Sequence, residues 1–356
     1  MISTIMERSI NGKFVLIAEI GVNYYDIAKK HQIPVMEAAK LMVREAKDAG
    51  IHAVKFQTYK AETLAAKESP SYWDTTEEAT TSQFELFKKF DSFGYEEYKE
   101  LAQYCDNLGI EFLSTAFDIE SADYLYELMN VYKISSSDLN NLPFVEYQAK
   151  KGKPIILSIG ASNSEEINKT VQTIRRHNNQ PIILMHCVLE YPTPYNHANL
   201  NKIVTLKELY QDLIIGYSDH TKPDADADVI KTAYNLGAIA VEKHFTLDKN
   251  LPGNDHYHAM DPEDAKKIIK GIDFINEIRG SYELKCLDTE MAARQNARRS
   301  LVAACDIKEG EVITEAMLTF KRPGTGISPS EMNTIIGKIA SVDISEDTIL
   351  QKSMIK

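Results

Sequence analysis

Short apolar or β-rich runs recur along the first three-quarters of the chain, at residues 14–21, 53–59, 111–117, 131–137, 154–160, 181–187, 213–220 and 238–245. Nearly all are separated by stretches in which apolar residues return at helical spacing, as in 34–49, 95–108, 164–176 and 225–236. Gly50, Gly109, Gly152 and Gly237 each follow the last periodic residue of such a stretch, where a left-handed helix terminus is wanted. Strand alternating with helix implies parallel pairing, and eight such units imply a closed (β/α)8 TIM barrel. An open doubly wound sheet fits less well, because no G-x-G-x-x-G follows the first strand. The connection over residues 22–33 is long for a strand-to-helix loop and is expected to cover part of the barrel mouth.

The pattern changes after about Gly280. Residues 281–296 are polar and read as a linker, and from Ala297 the apolar runs are short and broken by turns such as Lys308-Glu309-Gly310 and Arg322-Pro323-Gly324. The expected organisation is a barrel over 1–282, a linker over 283–296 and a small, mostly-β domain over 297–356. A unit that small is marginal alone and is expected to pack on a barrel, its own or a partner's.

Composition narrows the function. The formal net charge is −12, which argues against nucleic acid, since a phosphate backbone selects clustered lysine and arginine. It leaves room for a small anionic substrate in a locally cationic pocket. No apolar run approaches bilayer length, and residues 1–13 lack a signal-like apolar core, so a cytoplasmic chain without membrane contact is expected. The four cysteines are far apart and form no C-x-x-C pair, which suits reduced thiols and not a disulfide or structural zinc framework.

A barrel carries its chemistry where the strands emerge at their C-terminal ends. Here those ends supply Glu19, Lys55, Thr115, Lys133, Ser136, Ser158, Ser218, His220 and His244. Side chains two apart share a strand face, so Ser218 and His220 point one way, as do Glu242 and His244, while Lys243 faces oppositely. Two histidines from neighbouring strands can share one divalent ion and leave positions open for substrate oxygens. Lysines with several hydroxyls suit phosphate or carboxylate, and Glu19 is placed to position or deprotonate a nucleophile. Any one of these residues alone is more often a solvated rim group; their coincidence on one rim carries the reading. Asp255-His256-Tyr257-His258 has the spacing of a metal-ligand cluster but lies well past the strand, and reads better as a substrate loop. Cys187 reads as a small interior residue, with no base spaced to serve it.

The stretches IAEIGVN (17–23), VKFQT (54–58), STAFD (114–118), YKISSSD (132–138), ILSIGAS (156–162), HCVLEYPTP (186–194), IGYSDHT (215–221), VEKHFTLDKNLPGND (241–255) and RPGTGISP (322–329) resemble, in this order, the sialic acid synthase family with its legionaminate and pseudaminate members. The resemblance implies a transferase that condenses phosphoenolpyruvate with an open-chain 2-acetamido aldose to a nonulosonic 3-deoxy-2-keto acid, releasing phosphate by C–O cleavage. It implies an antifreeze-like (SAF, β-clip) C-terminal domain and a domain-swapped homodimer. His220 and His244 would then hold Mn²⁺ or Mg²⁺. Lys55, Lys133, Ser136, Ser158 and Ser218, with Thr115 nearby, would bind phosphoenolpyruvate, and Glu19 would handle the water. Tyr191 and Asp255 would contact the sugar, and Arg322 would reach the N-acetyl group in the partner's site.

The departures from that pattern fall on the sugar side. Leu189 stands where a polar asparagine is expected, Tyr24 and not histidine follows Asn23, and His256-Tyr257-His258 follows Asp255. Two other readings remain: a Schiff-base pyruvate aldolase or lyase with Lys133 as nucleophile, and a non-catalytic carbohydrate-binding barrel.

Overall fold

In the computed structural model, which describes residues 3–73, 75–253 and 255–356, the chain divides into two compact units, Met1–Arg279 and Gly280–Lys356. The first unit is a closed barrel of eight parallel strands in sequence order. They are β1 (Val15–Gly21), β2 (Ala53–Thr58), β3 (Glu111–Ala116), β4 (Tyr132–Ile134), β5 (Ile155–Ser158), β6 (Ile182–Cys187), β7 (Ile214–Asp219) and β8 (Ala240–His244). Closure is made by β1 and β8, with Glu19 opposite His244 across the seam.

The two-residue period of the strands divides their side chains between two cores. Outward residues such as Leu16, Val54, Phe112 and Val241 pack under the helical layer. Inward residues Val15, Ile17, Ala53, Leu113, Ile156, Ile183, Met185 and Ala240 fill the lower barrel. A short helix, Thr4–Ile10, plugs its floor with Ile5 and Met6, and the Ile5 amide donates to Glu111 Oε2 at 2.8 Å. Nothing in the sequence patterning pointed to this plug. Gly216 occupies an inward position of β7 because a Cβ there would lie 2.7 Å from the Ala240 carbonyl oxygen and 3.0 Å from Met185 Cγ. With the floor filled this way, the next inward residues up each strand are the polar ones.

Two expectations change. Residues 22–33 are not a long loop: Tyr24–His31 forms a helix whose Tyr24 and Ile27 are fully buried in the outer core. Val22, Asn23 and Asp26 at its start do line a cavity beside the mouth. The strand expected over 131–137 stops at Ile134 and turns into a single 3₁₀ turn, Ser136–Asp138, where the Ser135 hydroxyl accepts from the Ser137 amide.

In the second unit β9 (Ser300–Ala303) pairs antiparallel with β10 (Leu318–Lys321), and isolated bridges such as Ile307 with Ile344 complete a mostly extended fold. Its core holds Leu301, Ile307, Ile313, Ile327, Ile344 and Leu350. The stretch read as a polar linker contains a helix, Met291–Ala297. Among the described residues no helix is long and apolar enough to cross a membrane.

Candidate active site

Strand alternation carries Glu19, Lys55, Thr115, Lys133, Ser158, Ser218, Glu242 and His244 inward above the hydrophobic floor, and all line one cavity. At its centre the Lys55 ammonium lies 2.5 Å from Glu19 Oε2 and 3.7 Å from Glu242 Oε1, and Lys133 lies 3.6 Å from the same Glu242 oxygen. Lys55 also donates to Thr115 Oγ1 at 3.2 Å, and Gln57 donates to Glu19 Oε1 at 2.8 Å. Two lysines and two carboxylates therefore share a nearly dry space.

Burial decides their acidities. It pushes the Glu19 carboxyl up to about 7, against the pull of Lys55 and with the Glu242 charge adding to it. It also favours loss of the Lys133 proton, holding that lysine below its ordinary range although Glu242 opposes the shift. For Lys55 the two carboxylates outweigh burial and raise it, and for Glu242 the two lysines outweigh burial and lower it. A carboxyl near neutrality beside charged partners is suited to acid–base work at cellular pH.

The hydroxyls arrive by different routes. Ser218 donates to Glu242 Oε1 at 3.3 Å, and the buried Ser158 hydroxyl has no protein partner. Ser136 reaches the cavity through its 3₁₀ turn, and its oxygen accepts from the Gly160 amide at 2.8 Å. Leu189 also lines this space.

Beside them stand the imidazoles. His220 follows β7 and its Nδ1 lies 2.7 Å from the Val188 carbonyl, which takes the Nδ1 proton and leaves the Nε2 lone pair available. Tyr191 packs over this ring at 4.1 Å between centroids. The ring of His244 is 5.5 Å from that of His220, and its Nδ1 is buried without a hydrogen-bond partner. The segment expected to be a substrate loop lines the outer cavity with Asp255 and His256 and also reaches the end of β8. Ligand atoms of His244, Asp255 and His258 all lie within 4.8 Å of one another, so the loop brings a carboxylate and a further imidazole to the end of β8. Burial first, and neighbouring imidazoles second, hold His244 and His258 well below the usual histidine range, in the neutral form that binds metals. Cys187 Sγ lies 3.8 Å from His220 Nδ1, a neighbour its sequence spacing did not show. Lys243 takes the opposite face, buried against Asp219 Oδ2 at 2.7 Å.

A second cavity adjoins the first through Gln57, Tyr191 and His244. Its walls include Trp73, Leu86, Phe87, Phe90, Asp26 and Asp255. Sequence reasoning missed the 59–94 contribution, because that segment follows neither strand nor helix period over its full length. Of the candidate site residues read from the sequence, only Arg322 lies in the second unit.

Residues 42–283 match the model of the NeuB family, and residues 298–356 match the SAF domain. The chain belongs to the NeuB family. It is 37% identical to the N,N'-diacetyllegionaminic acid synthase of Campylobacter jejuni over 96% of this chain and 99% of that one. It is 36% identical to the enzyme of the same name from Legionella pneumophila, over 94% and 92% of the two chains. Among solved structures it resembles the N-acetylneuraminic acid synthetase of Leptospira borgpetersenii, crystallised with citrate, at 31% identity and a TM-score of 0.67, over 79% of this chain and 90% of that one. The chain thus combines a synthase-family barrel with a SAF domain.

Proposed function

We propose that the protein condenses phosphoenolpyruvate with an open-chain acetamido aldose to form a nonulosonic acid, and that the aldose carries two acetamido groups. The observation that carries the reading is the joined pair of cavities: an inner one built from lysines, hydroxyls and two carboxylates, and an outer aromatic one edged by acids. Lys55, Lys133, Ser136, Ser158 and Ser218, with Thr115, bind the phosphate and carboxylate of phosphoenolpyruvate. Trp73, Phe87 and Phe90 offer apolar faces to the sugar and its methyl groups, while Tyr191 and Asp255 contact it where the two cavities meet. The names of the Campylobacter and Legionella relatives support the diacetamido acceptor.

C3 of phosphoenolpyruvate attacks the aldehyde carbon, and the electrons of its double bond form the new C–C bond. Positive charge then develops at C2, where water adds while Glu19 takes its proton. The C2–O bond to phosphate breaks and leaves the ketone. Of the two water protons, one ends on the former aldehyde oxygen and the other on phosphate.

The donor set fits a divalent ion. Two lysines already face two carboxylates, so an arriving phosphate and carboxylate meet no net positive charge unless a cation joins them. His220 and His244 would hold that ion, Mn²⁺ or Mg²⁺, and when bound it supplies Lewis-acid polarisation of the aldehyde oxygen. The chain's own residues position phosphoenolpyruvate and move the water proton. Arg322 is assigned to the acetamido group in the barrel of a second copy, within a domain-swapped homodimer; the SAF match over 298–356 supports this.

The test is phosphate release from phosphoenolpyruvate with Mn²⁺ and a panel of aldoses: diacetamido hexoses, N-acetylmannosamine and mannose. Release is expected with a diacetamido sugar above the others. No release with any of them overturns the reaction, and preference for N-acetylmannosamine overturns the acceptor alone. One observation favours a second reading, since the lowered Lys133 acidity range is also what a Schiff-base lysine needs. Borohydride with pyruvate separates the two: a covalent adduct on Lys133 would sink the synthase.

A further inference from the structure

Resting on the reading of the barrel mouth as a divalent-metal site held by His220 and His244, we infer that His258 is itself a further metal ligand, joining those two imidazoles beside the Asp255 carboxylate.

His258 is fully buried, and neither of its ring nitrogens has a hydrogen-bond partner. A buried neutral imidazole ordinarily satisfies both its N–H and its lone pair, because a buried polar group left unmet loses its hydration without compensation. A structural histidine kept only to fill space would be replaced at lower cost by an apolar residue. Here both polar atoms lack a hydrogen-bond partner beside His244 Nδ1, which is also buried without one and lies 3.6 Å from Asp255 Oδ2. The two rings lie 4.8 Å apart between centroids, and the ring of His220 is 6.4 Å from that of His258. Three imidazoles on one small volume repel if charged and are mutually compatible when neutral around a shared cation.

The backbone holds His258 there from both flanks. Phe245 and Met260 form a parallel bridge, and the Met260 amide donates to the His244 carbonyl at 2.8 Å, folding the loop back along the end of β8. Before it, His256 Nδ1 lies 2.8 Å from the Thr246 hydroxyl, and the Tyr257 hydroxyl donates to the Tyr191 carbonyl at 2.8 Å. The side chain is therefore placed before any ion arrives, which is what a ligand requires and a filler does not. Three imidazoles beside one carboxylate form a set that favours first-row transition ions such as Mn²⁺ or Co²⁺ over Mg²⁺.

The experiment is Mn²⁺ binding to the chelator-stripped protein by calorimetry, paired with pulsed electron paramagnetic resonance to count coordinated imidazoles. His258→Ala, and His258→Gln to preserve volume, are compared with His220→Ala and His244→Ala. Thermal melts of the metal-free variants report folding. Expected are a Mn²⁺ affinity at least tenfold weaker in both His258 variants and the loss of one imidazole coupling. Unchanged affinity and unchanged coupling count in a folded His258 variant would overturn the inference. If His220→Ala and His244→Ala still abolish binding, the metal reading survives without it. Failure of the unaltered protein to bind Mn²⁺ would overturn both.

Discussion

Lys55 Nζ sits 2.5 Å from Glu19 Oε2 with both side chains almost wholly out of solvent, on adjacent strands whose register sets the two residues side by side. That pairing places a carboxyl poised near neutrality against one of the lysines proposed to bind phosphoenolpyruvate. Replacing Glu19 with Gln keeps the shape and removes the proton acceptor. The expected loss in kcat is about 10²–10⁴-fold, with little change in phosphoenolpyruvate affinity. Because the ionised carboxylate is the active form, activity of the unaltered protein should rise as pH rises through about 7, and this limb should vanish in Glu19→Gln. Phosphate release measured from about pH 5.5 to about pH 8.5 reads both effects.

Gly160 is a second sensitive point. A Cβ there would lie 2.8 Å from Leu189 Cγ, 3.0 Å from Ser136 Oγ and 3.1 Å from Cys187 Sγ. Gly160→Ala must displace Ser136, whose oxygen also accepts the Gly160 amide. The expected outcome is a raised KM for phosphoenolpyruvate with a stability loss of about 1–3 kcal/mol. Steady-state kinetics and urea unfolding measure the two.

Lys243 shares the sequence VEKH with the site but serves the fold. Its ammonium donates to Asp219 Oδ2 at 2.7 Å and to the Thr221 carbonyl at 2.5 Å, all buried. Lys243→Met strands the Asp219 carboxylate and should cost roughly 3–5 kcal/mol of stability. The combined Lys243→Met, Asp219→Leu variant should recover much of that, which thermal unfolding would show.

His52 links stability to pH far from the mouth. Its Nδ1 accepts the Leu16 amide at 3.1 Å, and burial, helped by the charge of Arg8, holds the imidazole down to about 4. The unfolded chain binds this proton more readily, so the contribution is complete above about pH 6.5 and is lost as pH falls toward 4. It amounts to about 2–3 kcal/mol. His52→Gln retains an acceptor without titrating, so the drop in melting temperature between pH 6.5 and 4 should be smaller in the variant.

The assignment of Arg322 to a second copy's barrel has its own readout. Arg322→Ala and Glu19→Gln chains, each inactive alone, should regain up to about half the activity of one intact site per dimer when mixed and refolded together, as expected for isologous two-fold assembly. Mixtures that stay inactive, with heterodimers shown by mass, would place Arg322 outside the partner's site.

The eight strands and most of the inner site were legible in the sequence, because the two-residue strand period dictates which side chains face one way. Glu19, Lys55, Lys133, Ser218 and His244 emerge from that parity, as does the separation of Lys243 from its neighbours. Ser136 did not follow it, since its position depends on a serine-capped turn that ends β4 early. Three further features belong to tertiary structure alone. The Thr4–Ile10 plug needs barrel closure to give Ile5 and Met6 a floor to fill. The outer aromatic cavity needs Trp73 and Phe90 folded over residues such as Asp26. The meeting of Asp255 and His258 with His244 needs the Phe245–Met260 bridge to turn the chain back upon the strand it has just left. Backbone geometry imposes its period on neighbours in sequence, whereas contacts across ten or more residues follow from packing and closure, and it is there that the sequence by itself fell silent.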